Sequence, residues 1–322
     1  MRDQSKPSVT DASQPPAASG TFAARVVATF GRHMTVRDAA GRRLQARPFG
    51  RSLTVVCGDE VLCRPDPLHD ELHVVELLPR RSALYRANAR GRPEPVVANL
   101  TRLLVVLAPV PVPDLFVVDR YLAAAESAHI GATLVVNKQE LGVDDALAAE
   151  LAAYGAAGYG ALRCSAHTGG GTAELLAALP EAAVAALVGQ SGVGKSSLIA
   201  RLLPEERLAI GELVRAEEGR HTTTAARLFD LPGRRALIDS PGVRDFAPAV
   251  GSLDPRSLGF VEVERLSPAC RFLDCRHMRE PGCAVRAAAE AGAFHPRRYE
   301  SYRRLCRLHE NLSAARGPER RR

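Results

Sequence analysis

The sequence predicts a three-part chain: a small N-terminal β-barrel, a central α/β unit on a mainly parallel sheet, and a C-terminal helical segment built around a cysteine cluster. Three observations carry this reading. Residues 21–78 form short alternating runs separated by glycines. Residues 100–242 switch between continuous apolar runs and helical-period stretches. Three of the seven cysteines crowd into 270–283. A length of 322 residues suits two or three domains, and 46% apolar residues are enough to fill their cores.

In the barrel, the strands are AARVVATF, HMTVRDA, RRLQARPF, DEVLCRP and ELHVVELL, with Gly31, Gly41, Gly50 and Gly58 marking turns. Short strands at this density suit an OB-type barrel, and an SH3-like barrel would show the same periodicity. The preceding stretch, 1–20, is rich in Pro, Ser and Ala and reads as a disordered tail. It has no apolar signal region, and no apolar run reaches the roughly 18 residues of a membrane helix. A cytoplasmic protein without a membrane partner is expected. Residues 79–99 read as a basic linker.

The central unit alternates strand and helix. LTRLLVVLAP, ATLVVNKQ, YGALRCSA, AVAALVGQ, RLFDL and RRALIDSPG read as strands. LFVVDRYLAAAESAH, DDALAAELAAYG, TAELLAAL and SSLIARLL read as helices. Continuous apolar strands alternating with helices predict a sheet covered on both faces.

Its loops carry the chemistry. Gly189-Gln190-Ser191-Gly192-Val193-Gly194-Lys195-Ser196, followed by Ser197, fits G-x-x-x-x-G-K-[ST] between a strand and a helix. Backbone N–H groups and a helix N-terminus there suit phosphates. Lys195 can reach the β- and γ-phosphates, and Ser196 can ligate Mg²⁺. Asp239-Ser240-Pro241-Gly242 ends a strand, where an acid can hold the Mg²⁺ water shell and a Gly N–H can meet a γ-phosphate. Between them, Gly219-Arg220-His221-Thr222-Thr223-Thr224 offers a threonine hydroxyl as a second Mg²⁺ ligand, with Thr223 the candidate.

Upstream, Asn137-Lys138-Gln139-Glu140 is close to N-K-x-D, in which a carboxylate accepts from guanine N1–H and N2–H while the lysine stem covers the ring. Glu140 is one methylene longer than the usual acid. Cys164-Ser165-Ala166 matches an S-A motif, with Ser165 and Ala166 near guanine O6. These base-reading motifs precede the phosphate loop, the reverse of ordinary GTPases. A permuted chain can still assemble the sheet if the original termini lie close together.

Cys270-x₄-Cys275-x-His277-x₅-Cys283 supplies three thiolates and an imidazole, a set suited to tetrahedral Zn²⁺ in a closed, structural site. A disulfide pair or incidental cysteines are the alternatives. Arg271 and Arg276 beside the thiolates can offset their charge. A net charge of +7 favours polyanionic partners. Arg297, Arg298, Arg303, Arg304 and Arg307 fall on a basic helix, where they are candidates for RNA phosphates.

Taken together, the barrel, the N-K-x-E and S-A motifs, GQSGVGKSS, GRHTTT, DSPG and the cysteine cluster resemble the circularly permuted ribosome-associated GTPases of the RsgA (YjeQ/EngC) family. The resemblance covers nearly the whole chain after Thr21. It implies a multidomain fold: an N-terminal OB-type β-barrel, a circularly permuted α/β P-loop GTPase domain and a C-terminal α-helical zinc-binding domain. The expected division is 1–20 tail, 21–84 OB-fold RNA-binding domain, 85–250 GTPase domain and 251–322 zinc-binding and basic helical domain.

The resemblance also implies hydrolysis of GTP to GDP and phosphate, stimulated by the small ribosomal subunit, whose late maturation it assists and whose rRNA it contacts. Implied cofactors are GTP/GDP, Mg²⁺ and one Zn²⁺, on a chain expected to be monomeric. Position 243, often a water-orienting Gln in GTPases, is Val243, which predicts slow intrinsic hydrolysis. The histidine of GRHTTT, His221, is implied to act on the attacking water. Two other readings stay open from the residues alone. One is a P-loop ATPase or small-molecule kinase; the other is an RNA-binding scaffold that only senses GTP.

Overall fold

In a computed structural model of the chain, the described residues are 20–50, 53–66, 71–89, 91–203, 226–244 and 247–316. The expected tail, apart from Gly20, lies outside them, as do His221 and Thr223.

Strands β1 (Phe22–Phe30), β2 (His33–Asp38), β3 (Arg43–Pro48), β4 (Glu60–Asp66) and β5 (Glu71–Leu77) form the barrel. Period-2 alternation sends Val26, Met34, Val36, Leu44, Ala46, Val61 and Val74 inward to one core. The order is β1-β2-β3-β5-β4, with β4 closing on β1. Strand β3 runs parallel to β5 through Arg47 opposite His73. This partly parallel five-stranded closure is the OB-type arrangement, a choice that periodicity left open.

Residues 79–99, expected to be a linker, instead contain an antiparallel pair, β6 (Ala83–Ala87) and β7 (Pro93–Ala98). The turn explains it. Asn88 exchanges backbone hydrogen bonds with Arg92 and Gly91, and its side chain accepts from Arg92 N–H at 3.0 Å. Leu84, Val97 and Ala98 are buried and anchor the ribbon.

Beyond it lie β8 (Arg102–Leu107), α1 (Leu115–Ser127), β9 (Gly131–Val136), α2 (Asp145–Ala157), β10 (Ala161–Arg163), α3 (Thr172–Ala177), β11 (Val184–Gly189) and α4 (Lys195–Leu202). After residues 204–225 come β12 (Ala226–Leu231) and β13 (Arg235–Asp239). Asp114 and Asp144 start α1 and α2 by accepting N–H groups of their first turns, and Gly158 in a left-handed conformation ends α2.

The sheet order is β10-β9-β8-β11-β13-β12, parallel except for β12. Its apolar runs are continuous because both faces are covered. Leu103, Val105 and Leu107 face one core, whereas Leu104 and Val106 face the other. Strand β12 also pairs with barrel strand β1, so barrel and α/β sheet share one ladder. Arg37 reinforces this seam with a 2.6 Å ion pair to Asp230, and Arg227 lies over the Phe30 ring.

After β13 comes the short helix α5 (Pro241–Arg244), and the C-terminal segment contains α6 (Val261–Leu266), α7 (Ala284–Glu290) and α8 (Pro296–Arg316). Val263, Val285, Phe294, Tyr302 and Leu305 join the α1 side of the α/β core. Arg297 and Arg298, expected to face RNA, are taken up internally. Arg298 is 1% exposed and grips Glu262 at 2.5 and 2.7 Å and Asp119 at 2.7 Å. Arg297 pairs with Asp119 and with Glu150. Burial disfavours the Arg298 charge, but Glu262 and Asp119 outweigh it and push its pKa up. Arg303, Arg304 and Arg307 instead surround Glu300 on the outer side of α8.

Truncating Arg298 would leave Glu262 buried without its partner and Asp119 with Arg297 alone, at a cost of about 3–5 kcal/mol. Arg298→Ala is expected to lower the denaturant midpoint and to expose 251–316 to limited proteolysis. Wild-type protease resistance in the variant would contradict this account of the seam.

Candidate nucleotide site and metal centre

Strands β9, β8, β11 and β13 run parallel, so their C-terminal ends reach one edge of the sheet. Ligands of open α/β sheets bind at that edge. The sequence motifs follow Val136, Arg163, Gly189 and Asp239, the ends of β9, β10, β11 and β13. Residues remote in the chain therefore meet there.

Asn137, 1% exposed, joins three of these loops. Its Nδ2 donates to Val193 O of the phosphate loop at 2.8 Å, and its Oδ1 accepts from Ala166 N–H at 2.9 Å. Lys138, in a left-handed conformation at φ 62°, sends Nζ to Gly192 O and Val110 O, both at 2.8 Å. Its stem consequently crosses between base loop and phosphate loop. Gln139–Leu141 is a short 3-10 turn that leaves Glu140 exposed. The Ser165 hydroxyl, with help from a backbone amide, His167 and Lys138, holds the Glu140 carboxyl below the usual range. Glu140 is thus an ionised, oriented two-oxygen acceptor. Buried Ser165 is itself fixed by Thr168 N–H at 2.9 Å.

The phosphate loop runs from Gly189 to the start of α4. A Cβ on Gly189 would meet Val106 O at 2.2 Å, and one on Gly194 would meet Asn137 Nδ2 at 2.4 Å. Gly194 also has φ 92°, a conformation that suits glycine. Val193 is fully buried and pins the loop to the core, while Ser191 and Gly192 are exposed. Lys195 donates to Gly189 O and Gln190 O, both at 2.8 Å, which keeps its ammonium at the loop. Ser196 and Ser197 lie exposed in the first turn of α4.

Asp239 ends β13 beside the phosphate-loop strand, because Ile238 is level with Ala186. Gly242 sits against Val96, and Val243 is buried at 1% exposure. Ser196 offers a hydroxyl and Asp239 a carboxylate at this edge, the hard oxygen donor types that Mg²⁺ takes. Sequence reasoning missed the segment Pro109–Asp114. Pro111 approaches Gly192, and Asp114 N–H donates to Gln190 Oε1 at 2.9 Å. The alternating prolines of PVPVP were the available signal, but nothing local tied them to a loop so far downstream.

At the other cluster, the ligand atoms of Cys270, Cys275, His277 and Cys283 all lie within 4.8 Å of one another. His277 Nδ1 is 3.5 Å from both Cys270 Sγ and Cys283 Sγ, and those sulfurs are 4.0 Å apart. A tetrahedral zinc with Zn–S of about 2.3 Å and Zn–N of about 2.05 Å spaces its ligands by roughly 3.5–3.8 Å. The group is compatible with zinc, and all its cysteines are free thiols, which removes the disulfide alternative. Glu280 braces the knuckle by accepting backbone N–H groups of Arg276, Met278 and Arg279. Desolvation opposes its charge, but these amides prevail and hold its pKa at about 2. Arg276, expected to offset thiolate charge, pairs with Glu310 at 2.6 Å. Elsewhere, burial pushes the Cys63 thiol up to about 12 and Cys164 up to about 11, so both act as apolar filler.

A sheet edge that joins a phosphate loop to an upstream N-K-x-E loop defines a circularly permuted P-loop GTPase. The family model described as RsgA GTPase matches residues 77–248. A small ribosomal subunit biogenesis GTPase RsgA of Ectopseudomonas mendocina is 42% identical over 289 residues, covering 87% of this chain and 83% of the relative. One of Pseudomonas aeruginosa with the same name is 43% identical over 286 residues, covering 87% and 84%. The chain belongs to the RsgA GTPase family and is a GTP hydrolase. Its fold is similar to that of YjeQ from Thermotoga maritima (TM-score 0.67, 24% identity, 90% and 98% of the chains covered). It is also similar to YloQ, a circularly permuted GTPase (TM-score 0.64, 20% identity, 91% and 96% covered).

Gly194→Ala should abolish tight nucleotide binding, since the new methyl displaces Asn137 from the loop. Loss of that buried hydrogen bond and of loop geometry is expected to weaken GTP affinity by about tenfold or more. Titration with a fluorescent GTP analogue checks this, and an affinity within a factor of about two of wild type would refute the Asn137–loop coupling.

Proposed function

We propose that this chain binds the small ribosomal subunit, assists its late maturation, and hydrolyses GTP faster when docked on it. The observation that carries the reading is the Asn137 amide bridging base loop and phosphate loop. That geometry suits a purine nucleoside triphosphate, and the curated relatives are named for this process. Asn137, Lys138, Glu140, Ser165 and Ala166 take the guanine. Residues Gly189 to Ser197 take the phosphates, and Ser196, Thr223, Asp239 and Gly242 serve Mg²⁺ and the γ-phosphate.

Lys195 neutralises charge that develops on the transferred group. Val243 cannot position water, so hydrolysis by the free protein is slow. His221 orients the attacking water in the docked state. RNA contact falls to the barrel and to Arg303, Arg304 and Arg307; the expected boundary at 84/85 cuts strand β6 (Ala83–Ala87), whose ribbon packs with the α/β core, while the second boundary is kept at 250/251. The protein acts as a cytoplasmic monomer, and among the described residues no helix is long and apolar enough to cross a membrane.

The test is GTP turnover against purified small subunits at several salt concentrations. Stimulation that weakens steeply with salt is expected, and a rate indifferent to subunits would refute the reading. His221→Ala should keep GTP affinity within about twofold and lose the stimulated rate. A variant with full stimulation would remove His221 from the mechanism.

Cys270, Cys275, His277 and Cys283 hold one structural zinc, which fixes the knuckle that Tyr299 braces through a 2.7 Å hydrogen bond to His277 O. Native mass spectrometry should find one zinc per chain, lost in Cys275→Ser together with protease resistance around 270–283. Wild-type protein without retained zinc would overturn the assignment.

A further inference from the structure

The outer face of the barrel carries a feature that the nucleotide site does not use. Phe49 is 56% exposed, an unusual position for a large aromatic side chain. It follows β3 directly and is fixed there by a 2.8 Å hydrogen bond from its N–H to Val74 O. The Arg64 guanidinium lies 5.4 Å from the ring centroid, and the His73 imidazole meets the ring edge-on at 5.7 Å. The ring is therefore held in place while much of its surface stays open to solvent.

Below Phe49 a basic row crosses four strands. Arg47 on β3 is level with His73 on β5, which is level with Arg64 on β4. On the other side Arg47 Nε reaches His33 Nδ1 on β2 at 3.3 Å. Arg32 joins from the β1–β2 turn through Gly50 O at 3.1 Å. Among the described residues, the opposing carboxylates at this patch are Glu71, 2.9 Å from Arg47, and Asp66, 3.6 Å from His73. Among those same residues three guanidiniums exceed two carboxylates even with both imidazoles neutral.

A fixed aromatic face beside guanidiniums on an OB-type sheet matches the chemistry of unpaired nucleotides. Bases stack on aromatic rings regardless of sequence, while cations track the backbone. Duplex RNA offers no free base face to such a ring. We infer that Phe49 stacks an unpaired base of single-stranded RNA, with Arg47, Arg64 and Arg32 holding the adjoining phosphates. This rests on the reading of the chain as an RNA-contacting GTPase and names the form of RNA its barrel takes.

The test uses the full-length chain and fluorescent single-stranded and duplex RNA oligonucleotides, with binding followed by anisotropy across salt concentration. Phe49→Ala should weaken single-strand affinity by about tenfold, leave the salt slope unchanged and spare duplex binding. Phe49→Trp should restore the affinity. Arg47→Ala with Arg64→Ala should instead flatten the salt slope by about one unit per lost phosphate contact. Basal GTP turnover of each variant should match wild type, which shows that the fold is intact. Unchanged single-strand affinity in Phe49→Ala, or an equal loss for duplex, overturns the stacking site. If subunits still stimulate the wild type in that case, the proposed function stands without it.

Discussion

The buried Asn137 amide is the contact on which the nucleotide site depends. One side-chain nitrogen and one oxygen connect loops that begin after different strands. Such a group is costly to leave unpaired, since a buried amide without partners loses its hydration for nothing. The three loops are therefore held as a set. Gly194 completes the arrangement by leaving out the one atom that would push the amide away. Lys138 then adds a second crossing to the phosphate loop.

The parallel sheet makes this meeting possible. Parallel strands deliver all their C-terminal ends to one edge, whatever order the chain visits them in. Permutation thus changes the connections without moving the site. It also leaves the Asp239 loop directly ahead of the C-terminal segment, whose core is continuous with that of the sheet. On the far side, the barrel joins the same sheet through β1 and β12. Strand β12 begins just after the segment that contains His221 and Thr223, so the barrel is bonded to the strand that follows that segment.

The arginines divide by environment rather than by spacing. On α8, Arg297 and Arg298 are drawn inward because Asp119, Glu150 and Glu262 await them across the seam. Arg303, Arg304 and Arg307 face outward around Glu300. In the helix sequence these five look alike, since the partners of the inward pair come from α1, α2 and α6.

The sequence by itself determined the five barrel strands, the strands and helices of the central unit, the phosphate-loop pattern, the N-K-x-E pattern and the grouping of Cys270, Cys275, His277 and Cys283. These are local patterns: side-chain period, glycine placement and ligand spacing act over a few residues. Only the tertiary structure decided the OB-type closure over its SH3-like rival, because strand order is a property of pairing and not of periodicity. It also turned residues 79–99 from a linker into a ribbon, through the Asn88 turn and the burial of Leu84 and Val97. The inward turn of Arg298, the Pro111 contact on the phosphate loop and the Phe49 patch belong to the same class. Each needs a partner tens of residues away, and the physical cause is long-range packing and charge pairing that no short window of sequence contains.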